Sequence, residues 1–191
     1  MVTIGAIGHR YLKETSKIIK GVDKALETIK EKFGTPFIML SALAEGADRL
    51  IVHRAQAMQE DTHLLALLPL AMEDYMADFE TLTSKADFLN LLQTADEVYE
   101  PEDSPSRDLA YMKIGAKIVN HSEVLLTIWD GNPPQGEGGT GEIVAYARQQ
   151  GVPIAWVHAG NREPGTSQPT SLGEMQGQVS FEGFYSPDDG E

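Results

Sequence analysis

The chain contains no cysteine. That excludes a disulfide framework and a thiolate metal site, and with them a secreted, disulfide-stapled domain. Basic residues are scarce: 15 Lys and Arg stand against 29 Asp and Glu, a net charge of −14. Duplex binding rests largely on Lys and Arg contacts to phosphate, so a nucleic-acid partner is disfavoured, while a local basic pocket stays open. No apolar run reaches membrane-spanning length, and Met1-Val2-Thr3-Ile4-Gly5 lacks the basic segment and long apolar stretch of a signal peptide. The expectation is a cytoplasmic protein with no membrane partner. What is present is ordinary for a globular protein: 191 residues, 41% hydrophobic and 23% charged, enough for one domain with an appendage.

Apolar runs of strand character alternate with helical patterns. Val2 to Gly8 reads as a buried strand, followed by a helix from about Glu14 to Phe33 in which Ile18, Ile19, Val22, Ala25, Leu26 and Ile29 recur at helical spacing. Pro36 to Ser41 is a second strand, leading into a helix that runs to about Gln59, and His63 to Leu68 a third, stopped by Pro69. Met72 to Leu92 carries two short helical patterns with an acidic face, read as an excursion beside the sheet. A short strand near 96–100, an acidic proline loop, a helix over 106–121, a strand over 123–129, a helix after Thr140 and a strand over 152–158 complete the series. The expectation is an α/β, Rossmann-like, doubly wound and mostly parallel sheet of five to six strands with helices on both faces, spanning residues 1–158. From Ala159 to Glu191 the chain is rich in Gly, Pro, Ser, Gln and Glu and has no periodic apolar pattern. Phe181, Phe184 and Tyr185 are its candidate anchors, to the domain or to a partner subunit, so a homodimer contact is one role open to this tail.

Ligands of such sheets sit outside the carboxyl ends of the strands. Four stretches lie there: Gly8-His9-Arg10, Ser41 to Gly46, Pro69, and Asp130 to Thr140. In the last, Asp130-Gly131 and a glycine-rich loop open a helix at Gly138-Gly139-Thr140-Gly141-Glu142. This is the layout of an anion-binding helix N-terminus, where unpaired N–H groups and the helix dipole favour a phosphate and glycines let it approach. Arg10 adds a planar cationic fork. In the second stretch, Ser41, Ala42 and Gly46 keep side chains out of the way of a ligand or an adjacent loop, while Glu45 and Asp48 suit a helix first turn. Gly5-x-x-Gly8 is too short for the dinucleotide fingerprint. His9 and His63 stand on different strands with no spaced partner, so no metal site is expected.

The combination Ile7-Gly8-His9-Arg10, Leu40-Ser41-Ala42-Leu43-Ala44-Glu45-Gly46-Ala47-Asp48, Trp129-Asp130-Gly131 and Gly138-Gly139-Thr140-Gly141-Glu142 resembles the SLOG superfamily. This Rossmann-like group includes the Smf DNA-processing proteins, the Lonely Guy phosphoribohydrolases and molybdenum-cofactor carrier-like proteins. The similarity spans about residues 2 to 158 and leaves out the tail. It implies a nucleotide or related phosphorylated ligand and no required cofactor. In the hydrolases the catalytic glutamate comes three residues after the threonine, whereas Glu142 comes two after Thr140, turned by about 100° round the helix. Their second signature, with its catalytic arginine, has no clear equivalent in Tyr111-Met112-Lys113-Ile114-Gly115, although Arg107 lies on the same helix.

Two classes of function follow. In the first, a nucleotide-binding or sensing module, Gly138, Gly139, Thr140 and Gly141 cradle a phosphate, Arg10 adds charge, and Ser41 with Gly46 lines the base or ribose. In the second, an N-glycosidic bond enzyme of the phosphoribohydrolase or deoxyribosyltransferase kind, Glu142 or Asp130 acts at the anomeric carbon. DNA handling, as in the Smf proteins, is a third reading that the net charge of −14 weakens.

Overall fold

The computed structural model describes residues 1–101, 106–133 and 139–184. Six strands alternate with helices: β1 (Val2–Gly8), α1 (Thr15–Phe33), β2 (Phe37–Ser41), α2 (Ala47–Met58), β3 (His63–Leu67), α3 (Met72–Met76), α4 (Leu82–Thr94), β4 (Glu97–Tyr99), α5 (Arg107–Asn120), β5 (Val124–Trp129), α6 (Thr140–Gln150) and β6 (Ile154–His158). A seventh strand, β7 (Val179–Glu182), follows a single 3₁₀ turn at Gly173–Met175. The sheet order is β4-β3-β2-β1-β5-β6-β7, with every pair parallel except β6 and β7. The architecture is α/β with a mostly parallel sheet. The strand beyond the expected five to six comes from the segment after Ala159, where Val179, Phe181 and their neighbours are half-buried and too few to show a period.

Alternation within the strands sorts the two faces. Val2, Ile4 and Ala6 of β1 and Val124, Leu126 and Ile128 of β5 join Ile18, Val22, Ala25, Leu26 and Ile29 of α1 and Ile51, Val52 and Ala55 of α2 in the larger core. On the opposite face Leu125 and Trp129 pack with Val119 of α5 and Ile143, Val144 and Ala147 of α6. Burying each of the Val, Leu and Ile side chains contributes about 1.5–3 kcal/mol, so the two faces lock both helix layers onto one sheet. The segment after β6 is held by Phe184, whose ring meets Phe33 at 5.3 Å and Phe181 at 4.9 Å. Tyr185, the third candidate anchor, lies outside the described residues.

Chain order reverses beside β1: β2, β3 and β4 build outward on one side, then the chain crosses back to place β5 on the other. This is the switch point at which the loops after two adjacent strands diverge and leave a crevice. Among the described residues no helix is long and apolar enough to cross a membrane.

Candidate functional site

The floor of that crevice is set by close backbone packing between the loop after β1 and the start of α2. The His9 carbonyl accepts from Ala47 N–H at 3.0 Å, and His9 N–H donates to the Ile128 carbonyl at 2.9 Å. Gly46 has φ +86°, and a Cβ there would lie 2.1 Å from the Arg10 carbonyl oxygen. At Gly8 a Cβ would lie 2.5 Å from Ala47 Cβ and from the Ile128 carbonyl oxygen. The small residues after β2 therefore make room for the neighbouring loop. Ser41 is fully buried and its Oγ accepts from Leu43 N–H at 3.0 Å. Asp48 is buried beneath the same turn, its Oδ2 3.4 Å from Ala44 N–H. Burial raises its pKa to about 7, against the opposing pull of the Ala44 and Gly8 N–H groups, Arg49 and Ser41.

Above this floor lies a cleft of about 760 Å³. The loop after β1 contributes Gly8, His9, Arg10 and Tyr11, and the loop after β5 contributes Trp129, Asp130, Asn132 and Pro133. Gly139, Thr140 and Gly141 bring the start of α6 to the same cleft, and Ala44 and Glu45 the loop after β2. Of the residues singled out from sequence, Gly8, His9, Arg10, Glu45, Asp130, Gly139, Thr140 and Gly141 thus come together. Ser41, Ala42, Asp48 and Pro69 are buried elsewhere, Gly46 packs on the Arg10 backbone, and neither Gly131 nor Glu142 lines the cleft. Gly138 lies outside the described residues, as do Gly136, Glu137 and loop positions 102–105.

The Asp130 carboxylate is held by its own turn and by His9. Asn132 donates its N–H to Oδ1 at 3.0 Å and its side-chain amide to Oδ2 at 2.9 Å. His9, which is 6% exposed, places Nε2 2.9 Å from Asp130 N–H and 3.3 Å from Asp130 Oδ1. A neutral ring protonated on Nδ1 accepts the backbone N–H through Nε2, whereas a charged ring would give up that bond for an ion pair with the carboxylate. Burial opposes ionisation of Asp130, yet the His9 ring, when it donates to the carboxylate, and the two Asn132 donors outweigh it and lower the pKa to about 2. Asp130 is therefore an anion at neutral pH.

Arg10 is committed to its own neighbours. Its Nε donates to Glu45 Oε2 at 2.7 Å, and its Nη2 donates to the same oxygen and to the Asp78 carbonyl. Glu45 also accepts from Glu80 N–H at 3.1 Å and from the Ser84 hydroxyl. The pair thus joins the β1 and β2 loops to the segment between β3 and β4.

That segment and the chain after β6 supply the two walls that the sequence reading missed. On one side Tyr75, Asp78 and Phe79 line the cleft together with Tyr111 of α5. Tyr75 is 1% exposed and centres an edge-on aromatic cluster with Phe79, Phe88 and Tyr111 at 4.9, 5.7 and 6.0 Å. Asp78 accepts from the Tyr111 hydroxyl and from Arg107, each at 2.7 Å, so Arg107 points at the excursion and does not line the cleft. On the other side Asn161, Arg162, Pro164, Gly165, Thr170 and Leu172 form the wall. Buried Gln176 braces it, donating to the Lys13 carbonyl at 2.6 Å and accepting from Gly160 and Leu172 N–H at 2.9 and 3.0 Å. Aromatic spacing in 75–88 was the one available signal for the first wall. The second has none, because a braced loop needs no hydrophobic period.

The fold is shared with a solved structure. DNA processing protein A (DprA) from Streptococcus pneumoniae superposes with a TM-score of 0.55, over 92% of this chain and 53% of that one, at 16% sequence identity. The fold is Rossmann-like. The chain spans about half the length of that protein, and at this identity the Rossmann-like likeness concerns the fold alone. No family model matches the chain and no curated protein matches it in sequence.

Proposed function

We propose that the cleft binds a small phosphorylated, nucleotide-like ligand, with its phosphate at the first turn of α6. The observation that carries this reading is the position of that turn, at the switch point and opening onto the same cleft as the loops after β1 and β5. The first intrahelical acceptor is the Gly139 carbonyl, taken by Glu142 and Ile143 N–H at 3.0 and 3.2 Å. The N–H groups of Thr140 and Gly141 precede that ladder, and the Thr140 hydroxyl stands beside them. Asp130, an acceptor-only anion, suits hydroxyl donors such as those of a sugar. Arg10 braces the cleft, and its charge, paired with Glu45, is not free to fork a phosphate.

A second reading, cleavage or transfer at an N-glycosidic bond, is favoured by one observation: Asp130 is ionised, faces the cleft and is oriented by His9 and Asn132. Such a carboxylate has the form of a nucleophile or base. Glu142, outside the cleft lining, is the weaker candidate. The third reading, DNA handling, draws on the likeness to a protein named for DNA processing and is opposed by the charge of −14.

Thermal shift and free-base release, followed together over a panel of nucleoside monophosphates, test these readings. Ligand at a hundred times its Kd adds about 2.7 kcal/mol to stability, a shift of several degrees. The expected result is such a shift, reduced by Thr140→Val. Base release abolished by Asp130→Asn would favour the enzyme, and the absence of any shift would end the ligand-site reading.

A further inference from the structure

Tyr11 and Arg162 meet at the mouth of the cleft from opposite ends of the chain. The Arg162 guanidinium carbon lies 5.5 Å from the centre of the Tyr11 ring. The Tyr11 hydroxyl donates to Glu80 Oε1 at 2.6 Å, which fixes the ring against the wall formed by the segment after β3. Arg162 stands on a braced hairpin: it bridges to Pro169, Glu163 N–H donates to the Gln168 carbonyl at 2.9 Å, and Thr170 N–H to the Asn161 carbonyl at 2.8 Å. Its side chain is exposed. Arg10, also near this ring at 5.8 Å, is spent on Glu45 and Asp78. Arg162 has no carboxylate within ion-pair distance among the described residues, in a chain with 29 acidic ones.

A fixed phenol face beside a planar cation with no ion-pair partner among the described residues is a surface for a planar aromatic ring. Both groups stack on π systems, and an exposed cation–π contact contributes only about 0.5–1 kcal/mol, so a ring that buries both faces displaces little. We propose that Tyr11 and Arg162 form a stacking subsite for the nucleobase of the ligand, so that the cleft selects nucleotides over sugar phosphates. This inference rests on the phosphate-binding reading of the α6 end of the cleft.

The test compares ribose 5-phosphate with the four ribonucleoside 5′-monophosphates by titration calorimetry on the full chain. Stacking on aromatic side chains predicts that at least one nucleotide binds tighter than ribose 5-phosphate by about tenfold. Tyr11→Ala should erase that preference by weakening nucleotide binding far more than ribose 5-phosphate binding. Tyr11→Phe, which keeps the ring and loses the bond to Glu80, should retain most of it, and Arg162→Ala should lower it. If ribose 5-phosphate and the nucleotides bind equally, or if Arg162→Ala weakens both alike, Arg162 acts as a plain cation and the stacking subsite is overturned while phosphate binding stands. If neither class binds the unaltered protein, the phosphate reading falls and takes this one with it.

Discussion

Replacing Asp48 with Asn should remove most of the pH dependence of stability between mildly acidic and mildly alkaline solution. The carboxyl group is buried under the turn after β2, and its pKa rises from the ordinary 3.8 to about 7. Its folded-state pKa lies above the unfolded one. Its contribution to stability is therefore fully present below about pH 4 and is lost as pH rises through about 7. The slope over that window is about 1.36 kcal/mol per pH unit, giving a total of about 4 kcal/mol as an upper figure. Asn cannot ionise but offers one acceptor oxygen where the carboxylate offers two, a cost of about 1 kcal/mol. At about pH 4.5 the variant should match the parent or fall slightly below it, and at about pH 8 it should exceed it by about 2–3 kcal/mol. Urea unfolding of both proteins across that range measures the difference, and every other titrating group cancels in the subtraction. A difference that stays constant with pH, or that favours the parent as pH rises, would refute the argument. It would mean that the N–H groups of Ala44 and Gly8 hold the carboxylate ionised despite its burial.

Gly46→Ala should destabilise by about 3 kcal/mol or more, since it combines a left-handed backbone with a Cβ 2.1 Å from the Arg10 carbonyl oxygen; thermal unfolding reads the loss. Thr127→Val should raise the melting temperature by a few degrees, because the fully buried Thr127 hydroxyl has no hydrogen-bond partner among the described residues and valine keeps its shape. Arg49→Met should cost about 3 kcal/mol in denaturant unfolding. It removes bonds from Arg49 to the Leu43 and Ser84 carbonyls at 2.8 and 2.7 Å and a stack on Phe79 at 4.4 Å. Arg148→Ala, at the half-exposed pair with Glu182, should cost no more than about 1 kcal/mol on the same measurement, with high salt narrowing the gap.

The order of strands and helices could be read from apolar runs, because a residue in a parallel sheet must be apolar wherever helices cover both faces. Val124 to Trp129, buried along its whole length, is the clearest case. Gly8, His9, Arg10, Asp130 and the residues 139–141 could be placed on one rim for the same reason: each ends or follows a strand, or begins the helix after it. The region after β2 was less transparent. Small residues admit either a ligand or another piece of backbone, and the choice depends on how closely the loop after β1 approaches. It approaches within hydrogen-bonding distance, so Ser41, Gly46 and Asp48 serve the floor and do not reach the cleft.

The local sequence determined the parallel α/β architecture and the strand-end positions, since these follow from hydrophobic period and turn chemistry over a few residues. Tertiary structure alone decided which of those positions face the cleft, what walls it, and which charges are already paired. Glu45 lies 35 residues from Arg10, Asp130 lies 121 from His9, and Arg162 comes to Tyr11 from the far end of the chain. No local pattern encodes such meetings, because they depend on the order in which strands join the sheet and on where two irregular segments come to rest against its rim.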